Sequence, residues 1–538
     1  MGRSSIFLAG FLFFSVLSVA QENRYMVFFK DKSGTPYSVN NPSAFLTAKS
    51  IQRRENQNIN INEQDLPINP AYRTAVAGTG AVVYYATNWM NGVLVSCDAS
   101  LIPTISSLPE VSFVEFVAPG LPANGGRQKS SKRKTGTHDE ATTNQLVMIG
   151  IDAMHNDNLR GEGITIALCD IGFPGVDTTS PFSHIFADNR FDASVSFDFV
   201  HRSSDVFKFD DHGTRSLSII GAFQEGDYTG GAYKANFQLF VTEDEPTEYR
   251  IEEYNWLFAA ERADSAGVDI INSSVGYSTF DNSTMNYTPE QMDGVTPVVT
   301  RAAQLAADRG ILVVASAGNE GNDPSWKVIT APADGVDVLA VGNVNGIGGR
   351  SSTSSIGPTG DGRIKPDVMA LGSGVSVVRA AGNISTGSGT SFSAPLVVSL
   401  AAGLWQKYPS LTNKQLIEAI RQSASLALTP DNLMGYGIPN YTAVKNYLEL
   451  QEQTELIAVF PNPVTNGLLT IRPVSPEEVP IVKYSLINIQ GQILQRGEAT
   501  FSWLNNQYIA DVSSLAAGFY ILQVQTGESL LTFRLVKL

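Results

Sequence analysis

The chain of 538 residues is too long for one ordinary hydrophobic core, so two to four domains are expected. A hydrophobic share of 43% with 17% charged residues describes folded globular protein and excludes disorder as a description of the whole chain. The net charge of -15 argues against nucleic acid or an anionic membrane surface as a partner.

Residues 1–20 read as an export signal: Arg3, then the apolar stretch IFLAGFLFFSVL, then the small-residue site Ser18-Val19-Ala20. A membrane anchor is the alternative, but the apolar stretch is short and no later segment offers about 20 unbroken apolar residues. Beyond it, RYMVFFK (24–30), NGVLVSC (91–97) and VSFVEFV (111–117) read as strands, with helical spacing in ASLIPTISSL. A small α+β domain is therefore expected over 21–130. The segment PGLPANGGRQKSSKRKTGTHDE has no apolar periodicity and carries the basic cluster Lys132-Arg133-Lys134. Residues 131–145 are read as a basic processing linker, a merely solvated charge cluster being the bland alternative.

From 146 to 450 short apolar runs alternate with helical patterns. ITIALCD (164–170), NFQLFVT (236–242), VDIINSSV (268–275), GILVVASAG (310–318) and VDVLAVGNV (336–344) suit a parallel sheet covered on both faces. Helices are expected over 247–267 and 296–310. Residues 455–538 then turn to short alternating strands separated by turn residues, which describes a small β-sandwich. The two cysteines, Cys97 and Cys169, lie far apart, and both are expected to be buried without a disulfide.

The five histidines, at 138, 155, 184, 201 and 212, form no H-E-x-x-H pair, and no cysteine has metal-ligand spacing. No phosphate loop and no G-x-S-x-G elbow is present. Serine nucleophilic catalysis remains, and it needs a base within hydrogen-bond reach and a carboxylate to orient that base. Three places offer these groups. ALCDIGFPG ends an apolar run on Asp170, DDHGTRSLSIIGA opens a helix at His212, and GTSFSAP places Ser391 at the mouth of an apolar helix. Each alone is a turn-capping residue as readily as a catalytic one.

Taken together and in this order, the three segments resemble the motifs of the subtilisin-like (subtilase, S8) serine peptidases. Asp170-Ile171-Gly172, His212-Gly213-Thr214 and Gly389-Thr390-Ser391-Phe392-Ser393-Ala394-Pro395 carry the match. The resemblance implies an α/β fold with a subtilisin-like parallel sheet. It also implies a secreted serine endopeptidase that works through an Asp-His-Ser triad and an acyl-enzyme. Asn319 in ASAGNEG then stands where the family places its oxyanion donor. Ser274-Val275-Gly276 resembles the substrate-pairing strand, and Thr330-Ala331-Pro332-Ala333 the segment beside the pocket for the residue preceding the scissile bond, with Ala331 and Pro332 against substrate. Ile171 and Phe392 depart from the commoner Ser or Thr and Met without removing a reacting atom. Ser393 is read as a local hydrogen-bonding residue of the helix's first turn.

The flanking domains resemble a subtilase propeptide, which would inhibit until removed, and a type IX secretion C-terminal sorting domain, carried by FPNPV, LAAGFYILQV and RLVKL. The expected partners are protein or peptide substrates, the chain's own propeptide and the type IX machinery, with no nucleic acid, and a monomer is expected. The expected place is the cell surface or medium of a Gram-negative bacterium, reached through periplasm and outer membrane. No cofactor or catalytic metal is required, and structural calcium, common in the family, has no assignable ligands. Rival readings are an adhesin on the peptidase scaffold and a factor that cuts only its own linker.

Overall fold

A computed structural model describes residues 22–120, 141–473, 483–502, 507–526 and 529–538. The expected export signal and Lys132, Arg133 and Lys134 of the basic linker lie outside the described residues.

The first domain is a four-stranded antiparallel sheet in the order Val82–Thr87, Gly92–Cys97, Asn23–Phe29, Val111–Ala118. The sequence reading found three of these strands. The fourth, VVYYAT, is half-exposed and was not singled out. One face of the sheet buries Tyr25, Val27, Val93 and Val95 against Ile105 and Val76. The other face lies on the helix Ile251–Ala266 of the next domain, so that Met26, Phe28 and Trp89 share a core with Tyr254 and Phe258. Helix Ala48–Asn56 reaches the same domain through charge. Asp264 accepts from Arg53 and, at 2.7 Å, from Arg54, while Arg309 donates to Asp65 at 2.7 Å.

The central domain is built on seven parallel strands, as the continuous apolar runs require. Their order across the sheet is Val368–Leu371, Val338–Val344, Leu312–Ser316, Ile270–Ser273, Thr165–Asp170, Asn236–Val241 and Phe197–Asp198. The chain passes from Thr165–Asp170 outward to one side and afterwards resumes on the other side at Ile270–Ser273. The strand order therefore switches between these two neighbours, and ligands bind at the carboxyl ends beside such a switch. Asp170 and Ser273 are those ends.

Helix Thr390–Lys407 runs through the domain with every residue from Thr390 to Trp405 buried. An apolar helix at the centre needs no amphipathic stripe, which explains its run of small residues. Helix Tyr441–Leu456 leads to the last domain, two four-stranded antiparallel sheets around Leu469, Leu486, Leu522 and Leu535. Cys97 and Cys169 are both buried and free. Among the described residues no helix is long and apolar enough to cross a membrane.

Candidate active site

Asp170 is fully buried at the end of its strand, where its Oδ1 accepts from the N–H of Ile171 at 2.9 Å. The same oxygen lies 2.7 Å from Nδ1 of His212. His212 is the first residue of the helix His212–Gly221, and Asp210 Oδ1 accepts its backbone N–H at 2.8 Å. The following glycine lets the helix approach so closely. A Cβ on Gly213 would stand 2.4 Å from the carbonyl oxygen of Gly172 and 3.0 Å from Cβ of Asp170. Asp170 Oδ2 is buried without a hydrogen-bond partner among the described residues.

Ser391 lies in the first turn of helix Thr390–Lys407, where free N–H groups and the helix dipole favour negative charge. The helix is entered through Gly389 at φ +148°, a conformation suited to glycine. Its own N–H donates to the carbonyl of Gly372 at 2.8 Å. The ring of Phe392 sits 5.5 Å from the imidazole of His212. Among the described residues Ser391 Oγ makes no hydrogen bond to His212, in keeping with catalytic contacts that close only around substrate.

Asn319 is exposed just beyond strand Leu312–Ser316, and its side chain is oriented by a contact the sequence did not reveal. The N–H and the hydroxyl of Thr390 donate to its Oδ1 at 2.9 and 3.2 Å. With the carbonyl so engaged, the amide Nδ2 is left as the free donor. Ser391 Oγ and this amide both lie within 3.6 Å of the point where a Cβ on Gly389 would stand.

Ser274, Val275 and Gly276 continue past the end of strand Ile270–Ser273, and their peptide groups make no backbone hydrogen bond among the described residues. Ser274 Oγ donates to the carbonyl of Ser391 at 2.9 Å. Tyr277 and Ala331 exchange backbone hydrogen bonds at 2.9 and 3.1 Å, which sets Thr330 behind Gly276. Ala331 and Pro332 are buried in this support and do not line the cleft in front of it. Ser393 differs from expectation. Its hydroxyl donates at 3.1 Å to the carbonyl of Ala370 on strand Val368–Leu371, tying the helix to the sheet rather than closing its own turn.

Glu243, Glu248 and Glu252 bring one carboxylate oxygen each within 4.8 Å of one another, the only such group of three among the described residues. Carboxylates suit calcium, but three oxygens fall short of the six to eight it takes, so no calcium role is assigned to them.

The subtilase family profile matches residues 161–437, just over half of the chain. A peptidase S8 propeptide domain of Bacteroidota matches 24–135, and a secretion system C-terminal sorting domain matches 458–537. Subtilisin of Bacillus pumilus is 28% identical over 281 residues, covering 52% of this chain and 90% of that protein. Subtilisin NAT of Bacillus subtilis subsp. natto is 24% identical over 355 residues, 66% of this chain and 80% of that protein. The epidermin leader peptide processing serine protease of Staphylococcus aureus shares the fold. It has a TM-score of 0.54 at 17% identity, covering 79% of this chain and 98% of that structure. The chain belongs to the subtilase family and is a serine-type endopeptidase. Its C-terminal domain marks it as secreted or displayed at the cell surface in Bacteroidota.

Proposed function

We propose that the enzyme hydrolyses peptide bonds through Asp170, His212 and Ser391 by way of an acyl-enzyme. His212 takes the proton of Ser391 as Oγ attacks the substrate carbonyl carbon. Asp170 fixes the imidazole tautomer and stabilises its cation. Asn319 Nδ2 and the N–H of Ser391 hold the oxyanion of the tetrahedral intermediate. The imidazolium then protonates the leaving amine as the C–N bond breaks, and water, deprotonated by His212, releases the acyl group. The free backbone of residues 274–276 receives the extended substrate by β-addition. This chemistry calls on no organic cofactor and no catalytic metal.

The α+β domain is the inhibitor of the same chain, held on helix Ile251–Ala266 until the linker is cut, and the mature enzyme works as a monomer. The type IX machinery reads the C-terminal sandwich. The observation that carries the reading is the 2.7 Å contact between Asp170 and His212 at the strand-order switch, with Ser391 on the adjoining helix mouth.

Hydrolysis of casein by the processed secreted protein tests it. Wild type should release peptides and Ser391→Ala should release none while accumulating with its α+β domain attached. Equal release by both would overturn the assignment.

A further inference from the structure

His212 and Ser391 sit on different helices and share no hydrogen bond among the described residues, so their separation is set by what packs around them. The hairpin of strands Ser373–Val378 and Ile384–Ser388 is bonded to both helices. Its return strand runs straight into Gly389 and the mouth of the Ser391 helix. There the N–H of Gly389 closes on the carbonyl of Gly372, at the foot of the hairpin, at 2.8 Å. The outgoing strand is tied to the His212 helix, where Ser218 Oγ accepts the N–H of Val378 at 2.9 Å. The same strand buries Val375, Val377 and Val378 in the main core.

A second tie lies at the tip of the hairpin, one residue before His212. The Asp211 carboxylate pairs with two guanidiniums. Arg379, which follows the outgoing strand, meets its Oδ2, and Arg215, on the His212 helix, meets its Oδ1 at 2.9 Å. Arg215 also lies over the ring of Phe392, 5.4 Å from its centre, and Phe392 follows Ser391 in the chain. The links close a ring, from Ser391 through Phe392, Arg215, Asp211 and Arg379 to the hairpin and back to Gly389. Only 10% of the Asp211 side chain is exposed, so these pairs are less screened than ordinary surface ion pairs. The tip is closely fitted on another side too. The carbonyl oxygen of Ala380 stands 1.9 Å from where a Cβ on Gly175 would be, in the loop after Asp170. One hairpin thus abuts the segments that carry all three proposed catalytic side chains.

We infer that Arg379 is a positioning residue of the peptidase, which through Asp211 holds the His212 helix at the distance from Ser391 that proton transfer requires. The inference rests on the peptidase reading above and adds to it a residue that acts through Asp211 and not on the reacting atoms. Without the Arg379 guanidinium, Asp211 keeps Arg215 but loses its hold on the hairpin, and the tip can move relative to the backbone that leads into His212. Residues 274–276, which receive the substrate in that reading, extend a different strand and are not part of the ring. The loss therefore falls on the chemical step and not on binding. A lysine at position 379 keeps the charge on the hairpin and gives up only the planar fork.

The test compares the processed secreted wild type with Arg379→Ala, Arg379→Lys, Asp211→Asn and Arg379→Ala/Asp211→Asn on one quenched fluorescent peptide. Arg379→Ala should lower kcat by about tenfold with KM within about twofold, a fraction of the roughly 100-fold that a full ångström of misplacement costs. Arg379→Lys should recover most of that loss. The double variant should fall no further than Asp211→Asn alone, because both substitutions break one link. Reaction with a fluorophosphonate should slow in the same order, since it needs the same alignment without the pairing of a peptide. Should Arg379→Ala fail to fold, Arg379→Gln, which keeps the length without the charge, takes its place. Wild-type kcat in the Arg379 variant, a loss confined to KM, or additive losses in the double variant would overturn the inference and leave the peptidase reading standing. So would a loss that Arg379→Lys shares in full together with a lowered thermal midpoint of the fluorophosphonate-blocked enzyme, which would make Arg379 merely structural. A wild type that neither cuts the peptide nor reacts with the fluorophosphonate would instead overturn the reading on which the inference rests.

Discussion

Ser274 donates to the carbonyl of Ser391 at 2.9 Å, and it supplies a bond that the nucleophile's own helix lacks. In a regular helix the N–H four residues on would serve that carbonyl, but there the residue is Pro395, which has no N–H. The proline thus releases the carbonyl to a neighbouring strand end, and the hydroxyl of Ser274 fixes the first turn of the helix against the sheet.

Ser274→Ala should leave a buried carbonyl unpaired, at about 1–3 kcal/mol. We expect about a tenfold loss in kcat with a smaller change in KM, and Ser274→Thr should recover most of it. Steady-state kinetics on one peptide check this. An alanine variant with wild-type kcat would mean the bond does not position Ser391.

Gly213→Ala places a methyl group 2.4 Å from the Gly172 carbonyl oxygen, against unyielding backbone. The helix bearing His212 must shift away from Asp170, and kcat should fall by about 100-fold or more, since ~1 Å of misplacement has that effect. Retained activity would show that the helix accommodates the methyl group without moving the imidazole.

Asn319 and Thr390 should act as a unit. Loss of a side-chain oxyanion donor, a magnitude known from subtilisin rather than from this chain, costs about 10²–10³ in kcat. Asn319→Ala should reproduce that loss. Thr390→Val keeps the N–H and removes only the hydroxyl, so about a threefold to tenfold loss is expected. The double variant should fall no further than Asn319→Ala alone, and additive losses would separate the two residues.

Glu253 is fully buried, accepts from Val299 N–H at 3.0 Å and Tyr287 hydroxyl at 2.7 Å, and is pushed up to about 7 by that burial. The folded state therefore holds a proton that the unfolded chain releases. Its contribution to stability is present below about pH 4.5, is lost as pH rises towards 7, and is constant above. Buried Glu261 is likewise pushed up to about 7, so urea midpoints of the Ser391→Ala protein from pH 5 to 8 should show this slope from both groups, and Glu253→Gln should remove its own share of it. A difference between the two proteins that does not vary with pH would contradict the assignment.

Asp264 compensates two guanidiniums of the α+β domain, Arg53 and Arg54, all three side chains being buried. Its removal leaves Arg53 without a paired carboxylate among the described residues and Arg54 with Asp65 alone at 3.4 Å, at about 3–5 kcal/mol. In the uncleavable Ser391→Ala chain, Asp264→Ala should lower the urea midpoint for separation of the two domains, and secretion yield should fall with it. An unchanged midpoint would place the binding energy in the apolar contacts of Phe28, Trp89 and Tyr254 instead.

The strands of the central sheet were legible because burial on both faces makes them continuous apolar runs, as in GILVVASAG. The edge pair Phe197–Asp198 is two residues long and the run VMAL is four, too short to stand out. Asp170, His212 and Ser391 were legible because each sits where a strand ends or a helix begins, with small residues beside it. The contacts that orient them were not. Thr390 to Asn319 spans 71 residues, Ser274 to Ser391 117, and Ser393 to Ala370 23, so no local spacing betrays them.

Intact mass spectrometry of the processed secreted protein after exposure to a fluorophosphonate tests the central claim most directly. The account predicts one adduct on wild type, none on Ser391→Ala, and a much slower adduct on His212→Ala. An adduct of equal rate on Ser391→Ala, or none on a correctly processed wild type, would contradict an activated Ser391.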